Sequence, residues 1–214
     1  MHEGQKIVSI DPVTPDIDCI AKAGKILRKN GIVIFPAKCL YGVAANALDE
    51  IAIKKVFHLK QRPWNNPVLV LIPDKKMLQD LVTSISRQAY TLMDAFWPGN
   101  ITLVFEAETH ISKYLTAGTG KIGIRIPAHP VAKALVEFLN FPITGTSANL
   151  SGKNGCYQIE QLSSTIIDQA DLVLDAGTLK GGMGSTIVDV TTSSVTIIRE
   201  GEVTTSQINE LLEI

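Results

Sequence analysis

The chain has 214 residues, and its 20 Lys and Arg against 21 Asp and Glu give a net charge of −1 at pH 7. This balance excludes a histone-like basic arm or an acidic tail, although it allows a local basic patch. With 45% hydrophobic and 19% charged residues, the composition is that of a folded chain that can bury a core without disulfide or metal staples.

Apolar periodicity predicts the elements in chain order. Helices are expected over 16–29, 49–59, 84–96, 130–139 and 205–212. Strands are expected over 7–10, 32–35, 68–72, 101–106, 122–126, 143–147 and 172–175, with a hairpin formed by 186–190 and 195–199. Strands that alternate with helices predict an α/β domain with a mixed, twisted sheet. We expect one domain over 1–214, with its core over about 7–204 and a closing helix over 205–214.

Targeting and metal signals are weak. The apolar stretches fall far short of the roughly 18 residues that a membrane-spanning helix needs, and residues 1–6 lack a secretory pattern. The three cysteines show no CxxC spacing, which argues against a disulfide framework or a zinc ribbon. The sequence therefore predicts a cytoplasmic protein with no membrane partner and no metal site of its own.

Several cations stand where a ligand would explain them. Lys60 and Arg62 follow a predicted helix, in a loop stiffened by prolines. Two interpretations explain them equally well. One is a solvated helix end, and the other is a clamp for polyphosphate, in which Arg supplies a planar fork and Lys a point charge. Arg125 lies within a predicted buried strand, and Arg199 ends another. A cation so close to a buried run usually has an anionic partner or ligand.

Two polar loops remain ambiguous at this level. The glycine-rich segment 177–186 has no Lys before Ser185 and precedes a strand, so it does not fit a Walker A loop. Residues 145–149 read Gly-Thr-Ser-Ala-Asn, a nucleophile elbow without its last glycine. A serine hydrolase at Ser147 would need a base, for which His129 is the candidate. A plain turn, or a loop that binds phosphate or ribose, explains the segment as well.

Taken together, these segments resemble the YrdC/Sua5 family, whose members make threonylcarbamoyl-adenylate for the t6A modification of tRNA. The resemblance covers about residues 7–204, and the family's KxR and SxN signatures read Lys60/Arg62 and Ser147/Asn149. The matching segments, in the family's order, are 41–47, 60–63 with 66–67, 97–102, 116–118, 125–130, 146–152, 185–189 and 198–201.

The resemblance implies an open, twisted mixed sheet flanked by helices, with a positively charged concave face that binds ATP beside L-threonine. It also implies the single-domain form of the family. The catalytic residues would be Lys60, Arg62, Ser147 and Asn149. By position, the ATP site would use Arg62, Asn66, Lys121, Ser147, Gly155 and Arg199. The threonine site would use Arg125 and Ser185 for the carboxylate, together with Gly145 and the positions of Cys39 and Leu71.

The implied reaction carboxylates the amine of threonine with bicarbonate and joins the carbamate to the α-phosphorus of ATP, with release of pyrophosphate. Such a transfer needs charge neutralisation and in-line positioning more than a protein nucleophile. Mg²⁺ is expected to arrive with ATP, bound through phosphates and water. The implied partners are the proteins that carry the adenylate onward, and tRNA or double-stranded RNA.

Two departures from the family pattern fall on the amino-acid side of the site. Residues 36–42 read Pro-Ala-Lys-Cys-Leu-Tyr-Gly, so Cys39 stands where the family has a hydroxyl that contacts threonine. Leu71 stands where the family has a histidine facing the ligand. The sequence thus leaves open a synthase with an altered amino-acid substrate. It also leaves open a non-catalytic RNA-binding protein that uses Lys54, Lys55, Lys60 and Arg62, although the sequence shows no interleaving of aromatic and basic residues.

Overall fold

The computed structural model describes residues 6–213. Its helices are α1 (Ile17–Arg28), α2 (Glu50–Lys60), α3 (Arg87–Phe96), α4 (Lys113–Thr116), α5 (Pro130–Leu139), α6 (Ser164–Gln169) and α7 (Thr205–Leu212), with 3-10 turns at Lys75–Asp80 and Ile159–Gln161. Its strands are β1 (Ile7–Ser9), β2 (Val33–Pro36), β3 (Tyr41–Ala44), β4 (Val70–Leu71), β5 (Ile101–Glu106), β6 (Lys121–Arg125), β7 (Ile143–Thr144), β8 (Thr146–Ser147), β9 (Leu172–Asp175), β10 (Thr186–Asp189) and β11 (Thr196–Arg199).

The strands form two mixed sheets. One has the order β1-β9-β2-β3-β8 and the other the order β11-β10-β5-β6-β4-β7. The mixed α/β architecture predicted from the sequence is confirmed, and the structure adds that the strands are divided between two sheets. The chain passes from one sheet to the other at Gly145, because β7 pairs with β4 whereas β8 pairs with β3.

Side-chain caps set the helix starts. Asp16 and Asp49 accept hydrogen bonds from the first backbone N–H groups of α1 and α2, and Thr204 forms a capping box at α7. Ser86 caps α3, which therefore begins three residues after the predicted start at residue 84. The predicted helices and strands are present with one exception: the strand predicted over 143–147 was wrong as a single element, because it is divided into β7 and β8 of different sheets. Strand β3 and helices α4 and α6 escaped prediction because their apolar runs are short.

Three layers of apolar side chains hold the fold together. Helices α1 and α5 cover one face of the five-stranded sheet, and α2 and α6 cover the other. Helices α3 and α7 cover one face of the six-stranded sheet, where they pack on the side chains at every second position of β5 and β6. The opposite face of that sheet carries the polar and small side chains of the same strands, and it forms the floor of a cavity.

No helix within residues 6–213 is long and apolar enough to cross a membrane. Residues 1–5 and 214 lie outside the described residues, and with them the N-terminal segment examined for a secretory pattern and the last residue of the predicted closing helix. That residues 1–214 form a single domain stays a prediction.

Candidate functional site

A cavity of about 660 Å³ lies between the uncovered face of the six-stranded sheet and the edge of the five-stranded sheet. Strands β5, β6 and β10 supply the floor, and three loops, 37–40, 153–155 and 183–185, supply the walls. Among the charged side chains that line the cavity, cations outnumber carboxylates: the described residues supply six basic side chains and two carboxylates, namely Lys38, Arg62, Lys121, Arg125, Lys153 and Arg199 against Asp189 and Glu202.

Arg125 is the most deeply buried of these cations. It ends β6 on the cavity floor, is only 8% exposed, and its Nε has no hydrogen-bond partner among the described residues. Burial, together with the like charge of Arg199, lowers the pKa of the Arg125 guanidinium to about 10. A buried guanidinium without a partner is costly unless a ligand pairs with it, and a carboxylate matches its planar fork.

Ser185 and Arg199 form the wall next to Arg125. The Oγ of Ser185 shares a hydrogen bond of 2.8 Å with Oγ1 of Thr102, and Nη2 of Arg199 donates to the backbone oxygen of Ser185 at 2.7 Å. This second contact aims the guanidinium of Arg199 across the loop 183–185. Both predicted residues line the cavity.

Arg62 lies at the opposite rim and is held by its own loop. Its Nε and Nη2 donate to the backbone oxygens of Asn66 and Pro67 at 3.1 and 2.7 Å. Gln61 ends α2 in a left-handed conformation, which turns the chain toward the cavity. The predicted partner Asn66 therefore positions Arg62 through its carbonyl, while its side chain does not line the cavity.

Lys60 points inward rather than into the cavity. It is 1% exposed, and its ammonium donates to the backbone oxygens of Ser147 and, at 2.7 Å, of Asn149. Burial and the nearby charge of Arg62 lower the pKa of the Lys60 amine to about 7. In this geometry Lys60 fixes the SxN loop, and it reaches the cavity only through that loop.

Ser147 lines the cavity, whereas Asn149 lies behind it. The Oγ of Ser147 donates to Oδ1 of Asn149, and the amide of Asn149 donates to the carbonyls of Leu150 and Lys153. The hydroxyl proton is thus directed to an amide rather than to a base. His129, the candidate base, accepts from the backbone N–H of Val131 as the cap of α5, so nothing in this arrangement supports a serine hydrolase.

Lys121 and Gly155 both line the cavity. The ammonium of Lys121 donates to Asp189 Oδ2 at 2.9 Å and to Thr191 Oγ1 at 2.7 Å, and the bond to Asp189 raises the pKa of Lys121. A Cβ on Gly155 would come within 2.6 Å of Leu40 Cδ1, so a larger residue there would require the Leu40 side chain to move.

Gly145 and Leu71 meet at the junction of the two sheets. A Cβ on Gly145 would lie 2.7 Å from Leu71 Cγ and from Leu69 Cδ1. Gly145 and Leu69 line the cavity, while Leu71 is fully buried in the core under α1 and α5. The predicted ligand-facing position 71 is therefore filled by a core side chain, because Leu71 packs into the apolar cluster formed with α1 and α5.

Cys39 belongs to a polar cluster in which Glu202 is the common acceptor. The thiol of Cys39 donates to Glu202 Oε1, while Lys38 Nζ, at 2.8 Å, and Asn100 Nδ2 both donate to Oε2. Burial and the bond to Glu202 raise the pKa of the Cys39 thiol to about 11. Sequence reasoning missed Lys38, Asn100 and Glu202, since only the fold brings these three distant segments together.

An aromatic cluster lies beside Arg62 on the outer surface. The indole of Trp64, 52% exposed, stacks on Phe57 with ring centroids 4.7 Å apart, and Tyr114 lies 5.0 Å away. The ammonium groups of Lys54 and Lys113 lie 4.8 and 5.7 Å from the Tyr114 ring centre. The fold thus joins aromatic and basic side chains that the sequence keeps apart.

Of the predicted site residues, the cavity brings together nine and leaves four outside its lining. Those in the lining are Cys39, Arg62, Lys121, Arg125, Gly145, Ser147, Gly155, Ser185 and Arg199. Those outside it are Lys60, Asn66, Leu71 and Asn149.

Fold and cavity define an α/β protein with a cation-rich cavity on a sheet face. Comparisons with known proteins identify the family. The sequence profile of the Sua5/YciO/YrdC family, described as "Telomere recombination", matches residues 25–201. The chain therefore belongs to the Sua5/YciO/YrdC family.

Individual proteins show how far the similarity extends. The chain is 36% identical over 194 residues to threonylcarbamoyl-AMP synthase of Bacillus subtilis (strain 168), covering 90% of this chain and 56% of that protein. Pyrococcus abyssi Sua5 in complex with L-threonine matches with a TM-score of 0.92 at 30% identity, over 97% of this chain and 61% of that one. Escherichia coli YciO matches with a TM-score of 0.86 at 26% identity, over 96% and 100%. The chain thus spans little more than half the length of the first two.

Proposed function

We propose that this protein makes threonylcarbamoyl-adenylate from L-threonine, bicarbonate and ATP, and is in that sense a nucleotidyltransferase. The observation that carries the proposal is the buried guanidinium of Arg125, whose Nε has no hydrogen-bond partner among the described residues, on the floor of a cavity that also holds Arg62 and Arg199. A site for an amino-acid carboxylate and a site for phosphate would then share one cavity. The similarity to a Sua5 structure that holds L-threonine supports the same assignment.

At the amino-acid end, Arg125 would pair with the carboxylate and Ser185 would donate its hydroxyl hydrogen to it. This pairing removes the cost of the buried guanidinium, so the ligand gains both charge-assisted hydrogen bonds and the relief of an unpaired group.

At the nucleotide end, Arg62 and Arg199 would neutralise phosphate oxygens, and Ser147 would hydrogen-bond to a phosphate or ribose oxygen. Lys60 and Asn149 would hold Ser147 in place from behind. No group of three His, Cys, Asp or Glu side chains within residues 6–213 is arranged to hold a metal ion. Mg²⁺ would enter with the substrate as the Mg–ATP complex, since it is usually bound through phosphate oxygens and water.

The chemistry follows from this arrangement. The threonine amine attacks bicarbonate, with loss of water, to give a carbamate, and one carbamate oxygen attacks the α-phosphorus as the bond to pyrophosphate breaks. Charge builds up on the phosphoryl oxygens and on the leaving pyrophosphate, where fixed guanidinium groups stabilise it without reorganisation. The chain's contribution is orientation and charge neutralisation, and the product would pass, in the cytoplasm, to proteins that transfer the threonylcarbamoyl group to tRNA.

The test is pyrophosphate release in an omission series. Purified protein with Mg–ATP, bicarbonate and L-threonine is expected to release pyrophosphate, and removing either bicarbonate or threonine is expected to stop it. Release with another amino acid in place of threonine would revise the substrate. No release with any amino acid, while ATP still binds, would refute the proposal.

A second candidate, RNA binding without chemistry, is favoured by the aromatic cluster. Trp64 and Tyr114 with Lys54 and Lys113 would let an unpaired base stack while lysines meet the adjacent phosphates. Trp64→Ala would then weaken RNA binding in a filter assay, and the affinity would fall steeply with salt. RNA binding together with absent turnover would favour this candidate over the synthase.

A further inference from the structure

A carboxylate stands in the anion-binding cavity and the proposed function does not use it. Glu202 follows β11 and lines the cavity beside Cys39 and Asn100. It lies within electrostatic range of Arg125, whose guanidinium interacts with both Glu202 and Cys39. A negative charge opposes the binding of a nucleotide or any other anion, so its presence at this wall requires a reason other than phosphate recognition.

The donors around Glu202 are distributed unequally. Oε2 accepts from Lys38 and Asn100, whereas among residues 6–213 Oε1 accepts only from the thiol of Cys39. A carboxylate oxygen can accept two hydrogen bonds, so Oε1 keeps one acceptor position. Because Glu202 lines the cavity, a ligand bound there can donate to this acceptor position.

The thiol of Cys39 is not suited to recognise a ligand hydroxyl by a strong hydrogen bond. Its hydrogen is committed to Glu202, and burial with that hydrogen bond keeps the thiol protonated. The sulfur then offers a ligand only a weak acceptor. The strong acceptor at this corner is Oε1 of Glu202.

We propose that Glu202 determines side-chain specificity by accepting a hydrogen bond from the side-chain hydroxyl of the amino acid whose carboxylate Arg125 binds. This inference rests on the proposed function for the location of the carboxylate. Lys38 offsets the charge of Glu202, so a neutral hydroxyl gains more at this position than a cationic side chain. An acidic side chain is repelled, and an aliphatic one leaves Oε1 without a second donor.

The substitution Glu202→Gln tests this with little change in shape. Lys38 and Asn100 demand an acceptor at the Oε2 position, so the glutamine places its NH2 group where Oε1 was. The charge-assisted hydrogen bond to a ligand hydroxyl is then lost. The matched control is Glu200→Gln, because Glu200 binds the N–H and hydroxyl of Thr205 outside the cavity.

The measurement compares L-threonine with L-valine, in which a methyl group replaces the hydroxyl, by calorimetric binding and by kcat/KM for pyrophosphate release. Since a hydrogen bond to a charged group is worth about a factor of 10 or more, Glu202→Gln is expected to lower the threonine-to-valine ratio about 10-fold. In Glu202→Gln the affinity for threonine is expected to fall, while the KM for ATP and the affinity for valine stay within about twofold of the wild type. In Glu200→Gln all of these quantities are expected to stay within about twofold of the wild type.

Three results would overturn the inference. The wild-type protein could bind valine as tightly as threonine, or Glu202→Gln could leave the threonine-to-valine ratio unchanged. Glu202→Gln could also lower the affinity for both amino acids equally, which would show a purely structural role for Glu202. If Glu202→Gln fails to fold, Glu202→Asp keeps the charge for Lys38 and Asn100 but withdraws the carboxylate, and the same fall is expected. Threonine binding that depends on Glu202 without pyrophosphate release would instead refute the proposed function and keep this inference.

Discussion

Arg125→Met separates the stability of the protein from its proposed function. The guanidinium is 8% exposed, its Nε has no partner among the described residues, and its pKa falls from 12.5 to about 10. At 1.36 kcal/mol per pKa unit, the charged side chain costs the ligand-free fold about 3 kcal/mol. Methionine keeps much of the apolar stem and removes that cost, so we expect the variant to be more stable than the wild type.

Scanning calorimetry without ligand measures the effect directly. For a chain of this size about 1 kcal/mol corresponds to 2–4 °C, so Arg125→Met should melt roughly 6 to 12 °C above the wild type. L-Threonine should raise the melting temperature of the wild type and leave that of the variant unchanged. Arg87→Met is the matched control: Arg87 is exposed at the start of α3, and its loss should change stability by no more than about 0.5 kcal/mol.

The reasoning fails if Arg125→Met melts at or below the wild-type temperature. That result would mean that the guanidinium already has a stabilising partner within the protein. It would remove the physical reason for assigning Arg125 to a ligand carboxylate.

Three further predictions concern the walls of the site. The pKa of Lys60 is about 7 in the folded protein and about 10.5 in the unfolded chain, so the unfolded chain binds more protons between these pH values and the free energy of unfolding rises with pH there. Urea unfolding should show about 2 kcal/mol of this gain between pH 7.5 and 9.5, and Lys60→Met should abolish it. An unchanged slope in Lys60→Met would contradict the burial of the ammonium. Cys39, with a thiol pKa of about 11 instead of 9.0, should react with iodoacetamide at pH 8 about 100 times more slowly than a small free thiol, as followed by mass spectrometry of its peptide; an equal rate would refute the bond to Glu202. Gly145→Ala brings a methyl group within 2.7 Å of Leu69 and Leu71 and should cost about 1–3 kcal/mol in urea unfolding, whereas a neutral result would mean that the junction of the two sheets yields easily.

The sequence predicted well what depends on local periodicity. Strands were predicted over 101–106 and 122–126 and are present; the structure adds that one face of these strands packs in the core and the other forms the cavity floor. The position of Arg125 in such a strand was enough to mark it as a ligand-binding candidate. Its unpartnered Nε is the structural counterpart of that prediction.

What escaped prediction depends on long-range contacts. Lys60 and Arg62 look alike in sequence, yet the end of α2 turns one inward to backbone carbonyls and the other toward the cavity rim. Lys38 and Glu202 are 164 positions apart, and their pairing becomes visible only when β2, β3 and β11 are assembled. The break at Gly145 is equally hidden, because the segment Ile-Thr-Gly-Thr-Ser at 143–147 does not reveal that β7 and β8 join different sheets.

The central claim is that one cavity couples an amino acid, bicarbonate and ATP. The most direct measurement is mass spectrometry of the product formed from ¹³C-bicarbonate, L-threonine and Mg–ATP. We predict an adenylate that carries the threonyl group and one ¹³C atom, formed in step with pyrophosphate and absent with Arg125→Met. An adenylate without the label, or no adenylate from a protein that binds both ATP and threonine, would contradict the account.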